Sequence, residues 1–152
     1  MKLLHPFLYL FVLAGSLFIL AVSFGEILWG ASVGSGPHWS ERMFDGICHR
    51  IPDRTYSSGN LLMAVNTRCF GVFAGMAAGF ILMPLLKKFT VGNRWPILLL
   101  LAAVAVQITD YAGNMFELWE NTNHSRAVLG SLLGLSVPLS VSELFYQRKT
   151  IE

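Results

Sequence analysis

The chain is 152 residues long, 54% hydrophobic and only 13% charged, with a mean hydropathy of +0.56. Its apolar fraction lies above the soluble average and its charged fraction near half of it, which excludes an ordinary soluble globular domain. Eleven basic residues against nine acidic ones leave a formal charge of +2. That balance excludes a disordered or nucleic-acid-binding chain, so no nucleic-acid partner is expected.

A hydrocarbon core of about 30 Å needs about 20 mostly apolar residues in a helix. Four stretches reach that length, from Phe7 to Trp29, Leu61 to Leu86, Trp95 to Leu118 and Arg126 to Tyr146. The expected fold class is an all-α polytopic membrane protein, one domain over 1–152 with four transmembrane helices and a long loop over 30–60. The first stretch also has the outline of a signal peptide, but its apolar core from Pro6 to Phe24 exceeds the roughly 7 to 15 residues of a signal h-region. It is therefore read as a retained span.

In the second stretch Gly71, Gly75 and Gly79 recur every four residues, and Gly130 and Gly134 do so in the fourth. Small residues at that spacing let helix backbones approach closely, so these are packing stripes. Pro84 and Pro138 are expected to end or kink their helices.

Basic residues are held on the cytoplasmic side of short loops. Four spans would place Lys2, Lys87, Lys88, Arg94, Arg148 and Lys149 on one side, opposed only by Glu152. The other side carries Arg42, Arg50, Arg54 and Arg126 interleaved with Glu41, Asp45, Asp53 and Glu120. Both termini are thus expected to be cytoplasmic in a multi-pass protein of the cell membrane, with the 30–60 loop facing outward. The bilayer is the first expected partner, and a homo-oligomer or other membrane proteins are the next.

Ionisable residues inside a span need a partner or a polar cavity. Arg68 and Asp110 fall about 10 and 12 Å below the outer ends of their spans at 1.5 Å per residue, which predicts an ion pair between them. Asn114 and Glu117 follow Asp110 at i+4 and i+7 on one helical face, and Asn66 and Cys69 stand three apart on the second span. With Glu26, Arg54, Glu120, Asn123 and Arg126 near the same level, these residues read as an outward-opening polar pocket or as a buried structural network.

The two cysteines, Cys48 beside His49 in the loop and Cys69 in the second span, leave three chemistries open. A disulfide suits an oxidising compartment. A zinc or copper site using Cys48, His49 and Cys69, completed by Asp110 or His124, suits thiolate and imidazole ligands. A redox-active or catalytic thiol suits the positive charge of His49 and Arg68.

Cys48-His49-Arg50 with Pro52 and Arg54, Arg68-Cys69-x-Gly71 with Gly75, Asp110, and then Glu120, Asn123, Arg126 and Gly130 carry a resemblance. They resemble the domain of unknown function 2085 family of small predicted bacterial membrane proteins, whose pattern has a C-H-Q-like segment, C-x-R-C-x-G opening the next span, and D-x-x-T-Q followed by E-S-x-N-x-x-R. The resemblance runs from about Cys48 to Gly134. It implies a membrane protein with a shared outward site and no established activity. Two positions depart from it: Asn66 stands where the first cysteine of C-x-R-C would be, and Arg54-Thr55-Tyr56 replaces R-S-F. A Cys-His-Cys-Cys metal site implied by the family pattern would here lose its fourth protein ligand.

Three functions follow as expectations. The first is metal or small-ligand binding at an outward Cys/His/Arg/Asp site. An enzyme on a lipid head group or lipid-linked phosphate is the second, with Arg54, Arg68 and Arg126 holding the anion and His49, Asp110 or Glu120 as acid or base. The third is a structural subunit stapled by a Cys48-Cys69 disulfide.

Overall fold

The computed structural model describes residues 2–31 and 36–147. The expected cytoplasmic residues Arg148, Lys149 and Glu152 lie outside them.

A two-residue strand, Lys2–Leu3 (β1), leads into the helix Pro6–Ser23 (α1). Pro sits in the first turn of α1, where its missing N–H removes no intrahelical bond. The first expected span continues to Trp29, but the helix stops at Ser23. Gly25 takes a φ of +59°, and a Cβ there would run into the backbone of Leu62, Met63 and Ala64, so the chain turns against that segment. The Ala64 N–H donates to Ser23 O at 3.1 Å and seals the junction. A short helix, Glu26–Trp29 (α2), follows.

The 30–60 loop holds the short helix Trp39–Arg42 (α3), a 3-10 turn over Pro52–Arg54 and the strand Ser57–Ser58 (β2). β2 pairs antiparallel with Leu61–Leu62 (β3), opposing Ser57 to Leu62. Leu61 therefore belongs to a hairpin, and the second long helix starts at Thr67 instead, running Thr67–Thr90 (α4). Pro84 lies inside this helix and does not end it. The remaining elements are Trp95–Met115 (α5), Asn123–Ser140 (α6), Ser142–Phe145 (α7) and Tyr146–Gln147 (β4), which pairs antiparallel with β1.

This corrects the expected fold class. The described residues form seven α-helices and two small strand pairs, and three helices, α1, α4 and α5, are long and apolar enough to cross a membrane. The fourth expected span, Arg126 to Tyr146, and with it the four-helix transmembrane bundle, is overturned. α6 opens on Asn123, His124, Ser125 and Arg126, carries Ser131, Ser136 and Ser140 further along, and ends before Tyr146. Those polar groups dilute its hydropathy, and Val141 leaves helical geometry before α7 begins. The chain is a multi-pass membrane protein on the strength of α1, α4 and α5.

α4 packs most extensively on α6, with α5 against α6 and α1 against α4. The glycine stripes lie in the α4–α6 seam. A Cβ at Gly71 would overlap the Ala127 carbonyl, one at Gly75 the Ser131 carbonyl, and one at Gly134 the Val72 carbonyl. Backbones meeting this closely gain dispersion contacts, which matter most where lipid removes the hydrophobic drive between helices.

Two apolar clusters close the ends of the helix assembly. Tyr9, Phe80, Met83, Val91, Phe145 and Tyr146 form one beside the β1–β4 pair. Val22, Phe44, Ala64 and Val65 form the other, where the loop folds back over α4, and Cys48 and Cys69 pack against it. The polar site lies at this second end.

Candidate functional site

α4 begins at the cap residue Asn66, whose side chain makes no capping bond to its own helix. Its Oδ1 accepts from the Ile51 N–H at 2.8 Å and from Thr55 Oγ1 at 3.1 Å. Those bonds hold the Pro52–Arg54 turn against the start of α4 and so position Arg54. Asn123 adds a second tie, its Nδ2 donating to Asp53 O at 3.2 Å. The Tyr56 hydroxyl reaches Asn123 O at 3.3 Å and His124 Nδ1 at 3.1 Å, which joins the loop to the start of α6.

Arg68 pairs with Asp110 across α4 and α5, the ion pair expected of them. Because α4 starts at Thr67, Arg68 sits in its first turn rather than two turns in. Asp110 is only 8% exposed and also accepts from Asn121 Nδ2, at 2.7 Å on Oδ1 and 2.8 Å on Oδ2. Arg68 Nε is buried without a hydrogen-bond partner among the described residues.

Beside this pair lies a cavity of about 340 Å³ lined by Arg54, Asn66, Arg68, Cys69, Tyr111, Asn114, Met115 and Arg126. Arg126, in the first turn of α6, has its pKa lowered by burial and by the neighbouring charges of Arg54 and Arg68, with Asp110 and Glu120 opposing them. Positive charge is therefore crowded here.

Of the expected pocket residues, Arg54, Asn66, Arg68, Asn114 and Arg126 line this cavity. Asp110 and Asn123 stand behind it as bonding partners. Glu117 and Glu120 do not line it; both are exposed in the turn after α5, Glu117 at a φ of +56°. Asn121, Tyr111 and Met115 were not anticipated. Asn121 had no signal beyond its short distance in sequence from Asp110. Tyr111 and Met115 could have been found by carrying the helical spacing one step around from Asp110 and Asn114.

The cysteine expectations are corrected. Cys48 and Cys69 are both free thiols, so the disulfide staple is overturned. Among the described residues no three His, Cys, Asp or Glu side chains gather as a metal-ligand set, which overturns the zinc or copper site and the metal-binding function. The two thiols adjoin, close enough for Cys69 to donate to Cys48, but no third ligand among the described residues joins them. Cys48 and His49 also line a cavity of about 250 Å³ with Glu41, Asp45 and Arg50, and Cys69 lines the arginine cavity on its other side. The proposed completing ligands are committed elsewhere, Asp110 to Arg68 and Asn121 and His124 to Tyr56. Burial of Asp110 in that ion pair also corrects the expected outward-facing Cys/His/Arg/Asp site, and of the three acid or base candidates for a lipid head-group enzyme, His49, Asp110 and Glu120, it removes the one in the bundle.

Cys48 has chemistry of its own. Its pKa is lowered to about 5, first by a hydrogen bond from the Cys69 thiol, then by the Asn66 and Arg50 backbone N–H groups and by His49, against the opposing effect of burial. The Asn66 N–H lies 3.2 Å from Cys48 Sγ.

Comparison with known proteins agrees with the membrane character. The chain is 32% identical over 104 residues to the uncharacterized protein MJ1492 of Methanocaldococcus jannaschii, a match covering 66% of this chain and 65% of that relative. No solved structure matches the chain. Residues 48–139 match the family described as predicted membrane protein DUF2085, a segment running from Cys48 through the arginine cavity to Leu139, and the chain belongs to that family.

Proposed function

We propose that this membrane protein binds an anionic group, a phosphate or a carboxylate, between Arg54, Arg68 and Arg126. The observation that carries the reading is their convergence on one cavity, while Asp110, the carboxylate paired with Arg68, is already shared with Asn121. Guanidinium groups present forked donors that match phosphate and carboxylate oxygens. The N-terminal turns of α4 and α6 flank the same cavity and add their positive dipole ends. Binding an anion would offset both the burial and the repulsion from Arg54 and Arg68 that lower the Arg126 pKa.

Titration of the detergent-purified chain with inorganic phosphate, at constant ionic strength, tests the reading. Phosphate should raise the melting temperature more than chloride does, and Arg126→Gln should abolish the difference. Equal shifts in both salts, or an unchanged phosphate response in Arg126→Gln, would overturn it.

The same reading includes an orientation. Lys87, Lys88 and Arg94 lie around the α4–α5 connection, and short loops rich in such residues stay in the cytoplasm. The arginine cavity then lies toward the opposite membrane face. Asn93→Cys, in the exposed α4–α5 connection, in a Cys48→Ser/Cys69→Ser background should resist membrane-impermeant maleimide until cells are opened. Labelling in intact cells would reverse the orientation.

A further inference from the structure

α5 carries an apolar stripe, Leu101, Val104, Ile108, Tyr111 and Met115, spaced three and four residues apart and exposed along its length. In a helix apolar enough to cross a membrane, such a face meets lipid. The stripe runs about 21 Å at 1.5 Å per residue, more than the half of a roughly 30 Å hydrocarbon core that one leaflet supplies. It ends at the arginine cavity, because Tyr111 and Met115, 64% and 69% exposed, are at once its last members and part of that cavity's wall.

The vertical position fits as well. Met115 is the last residue of α5, and Arg68 lies in the first turn of α4, so the guanidinium groups stand at the ends of two spans. That is the level of lipid head groups, and basic pockets between transmembrane helices are suited to hold lipid phosphates. A soluble anion would use only the polar half of the cavity. An anion on an acyl chain would use the arginines and the α5 stripe together.

Resting on the anion-binding reading, we infer that the ligand is a membrane lipid with an anionic phosphate head group, its phosphate between Arg54, Arg68 and Arg126 and its acyl chain along the α5 stripe. This is binding without turnover. No bond is made or broken.

The test uses the full chain in detergent, with native mass spectrometry reading bound lipid. Phosphatidic acid, phosphatidylcholine, glycerol 3-phosphate and inorganic phosphate serve as the probes. Phosphatidic acid should bind at least about tenfold more tightly than glycerol 3-phosphate, since each buried methylene adds affinity. It should also exceed phosphatidylcholine, and Arg54→Gln/Arg126→Gln should erase that preference. Arg94→Gln, remote from the cavity at the start of α5, should retain it. If the double variant unfolds, Arg54→Gln alone, a change in the exposed 3-10 turn, provides the comparison. Equal binding of phosphatidic acid, glycerol 3-phosphate and phosphate would overturn the lipid inference and leave the anion reading standing. Equal retention of phosphatidic acid and phosphatidylcholine, unaffected by the arginine changes and with no phosphate binding, would overturn both.

Discussion

Asn121 donates its side-chain amide to both carboxylate oxygens of Asp110, at 2.7 and 2.8 Å, from the turn between α5 and α6. Asp110 is thereby held by two partners, Asn121 and Arg68. Removing one partner of a buried polar group leaves the other unsatisfied, which costs about 1 to 3 kcal/mol. Asn121→Ala should destabilise the chain by about that amount in detergent unfolding. Asp110→Ala should cost more, because it strands Arg68 at a place where Nε already lacks a partner. Replacing both Arg68 and Asp110 by Leu should be milder than the two single changes added together, and an additive double mutant would refute the pairing.

The α4–α6 seam gives a sharper contrast. Gly71→Ala and Gly134→Ala would each put a methyl group into an opposing carbonyl, whereas a Cβ at Gly15 meets nothing within 4 Å. Backbone cannot yield as a side chain can, so the seam variants should each lose about 1 to 3 kcal/mol or more. Gly15→Ala should be neutral or slightly stabilising through its better helix propensity. Melting temperatures of the three variants check this, and a tolerated Gly71→Ala would mean the seam is looser than its geometry.

The Arg68–Asp110 pair and the glycine seam were legible in the sequence. The seam follows from helical periodicity, and the pair from two opposite charges on consecutive apolar helices that each need a partner, although Arg68 stands nearer its helix end than the span length implied. What failed depended on contacts between distant segments. Gly25 breaks the first span because residues 62–64 fold against it, and Leu61 joins a hairpin because β2 stands opposite. Cys48 and Cys69 do meet, thiol to thiol, but the fold brings no third ligand among the described residues to them, because Asp110 is held by Arg68 and Asn121, and His124 by Tyr56. The stretch from Arg126 to Tyr146 has the length of a span, but its serines lower its hydropathy and the break at Val141 ends the helix early.

Cys48 should show its environment in its reactivity. With its pKa lowered to about 5 from an ordinary value near 9, it is a thiolate across the neutral range. Iodoacetamide should alkylate it with a rate that levels off above about pH 6 and falls to half near pH 5. Cys69→Ala removes the first cause of the shift and should move that midpoint upward. The stability consequence has a fixed sign. A group ionised more readily in the folded chain contributes fully above its unfolded pKa, and the contribution declines as pH falls from about 9 toward about 5. A midpoint near the ordinary thiol value, identical in the wild type and Cys69→Ala, would remove the hydrogen bond from the account.

Asn66 separates the structural role of the cavity from its charge. Its Oδ1 holds Ile51 N and Thr55 Oγ1, so Asn66→Ala should release the Arg54 turn, speed hydrogen exchange at the Ile51 amide and lower stability by about 1 kcal/mol. Asn66→Asp keeps a carboxylate oxygen in the same place and should restore both the exchange protection and the stability. It also puts a negative charge into the wall shared with Arg54, Arg68 and Arg126. An internal carboxylate competes with a bound anion for the same guanidinium groups, so Asn66→Asp should melt like the wild type yet lose the phosphate-specific shift. If Asn66→Asp keeps both the fold and the phosphate response, the arginines are neutralised elsewhere and the cavity is not their binding site.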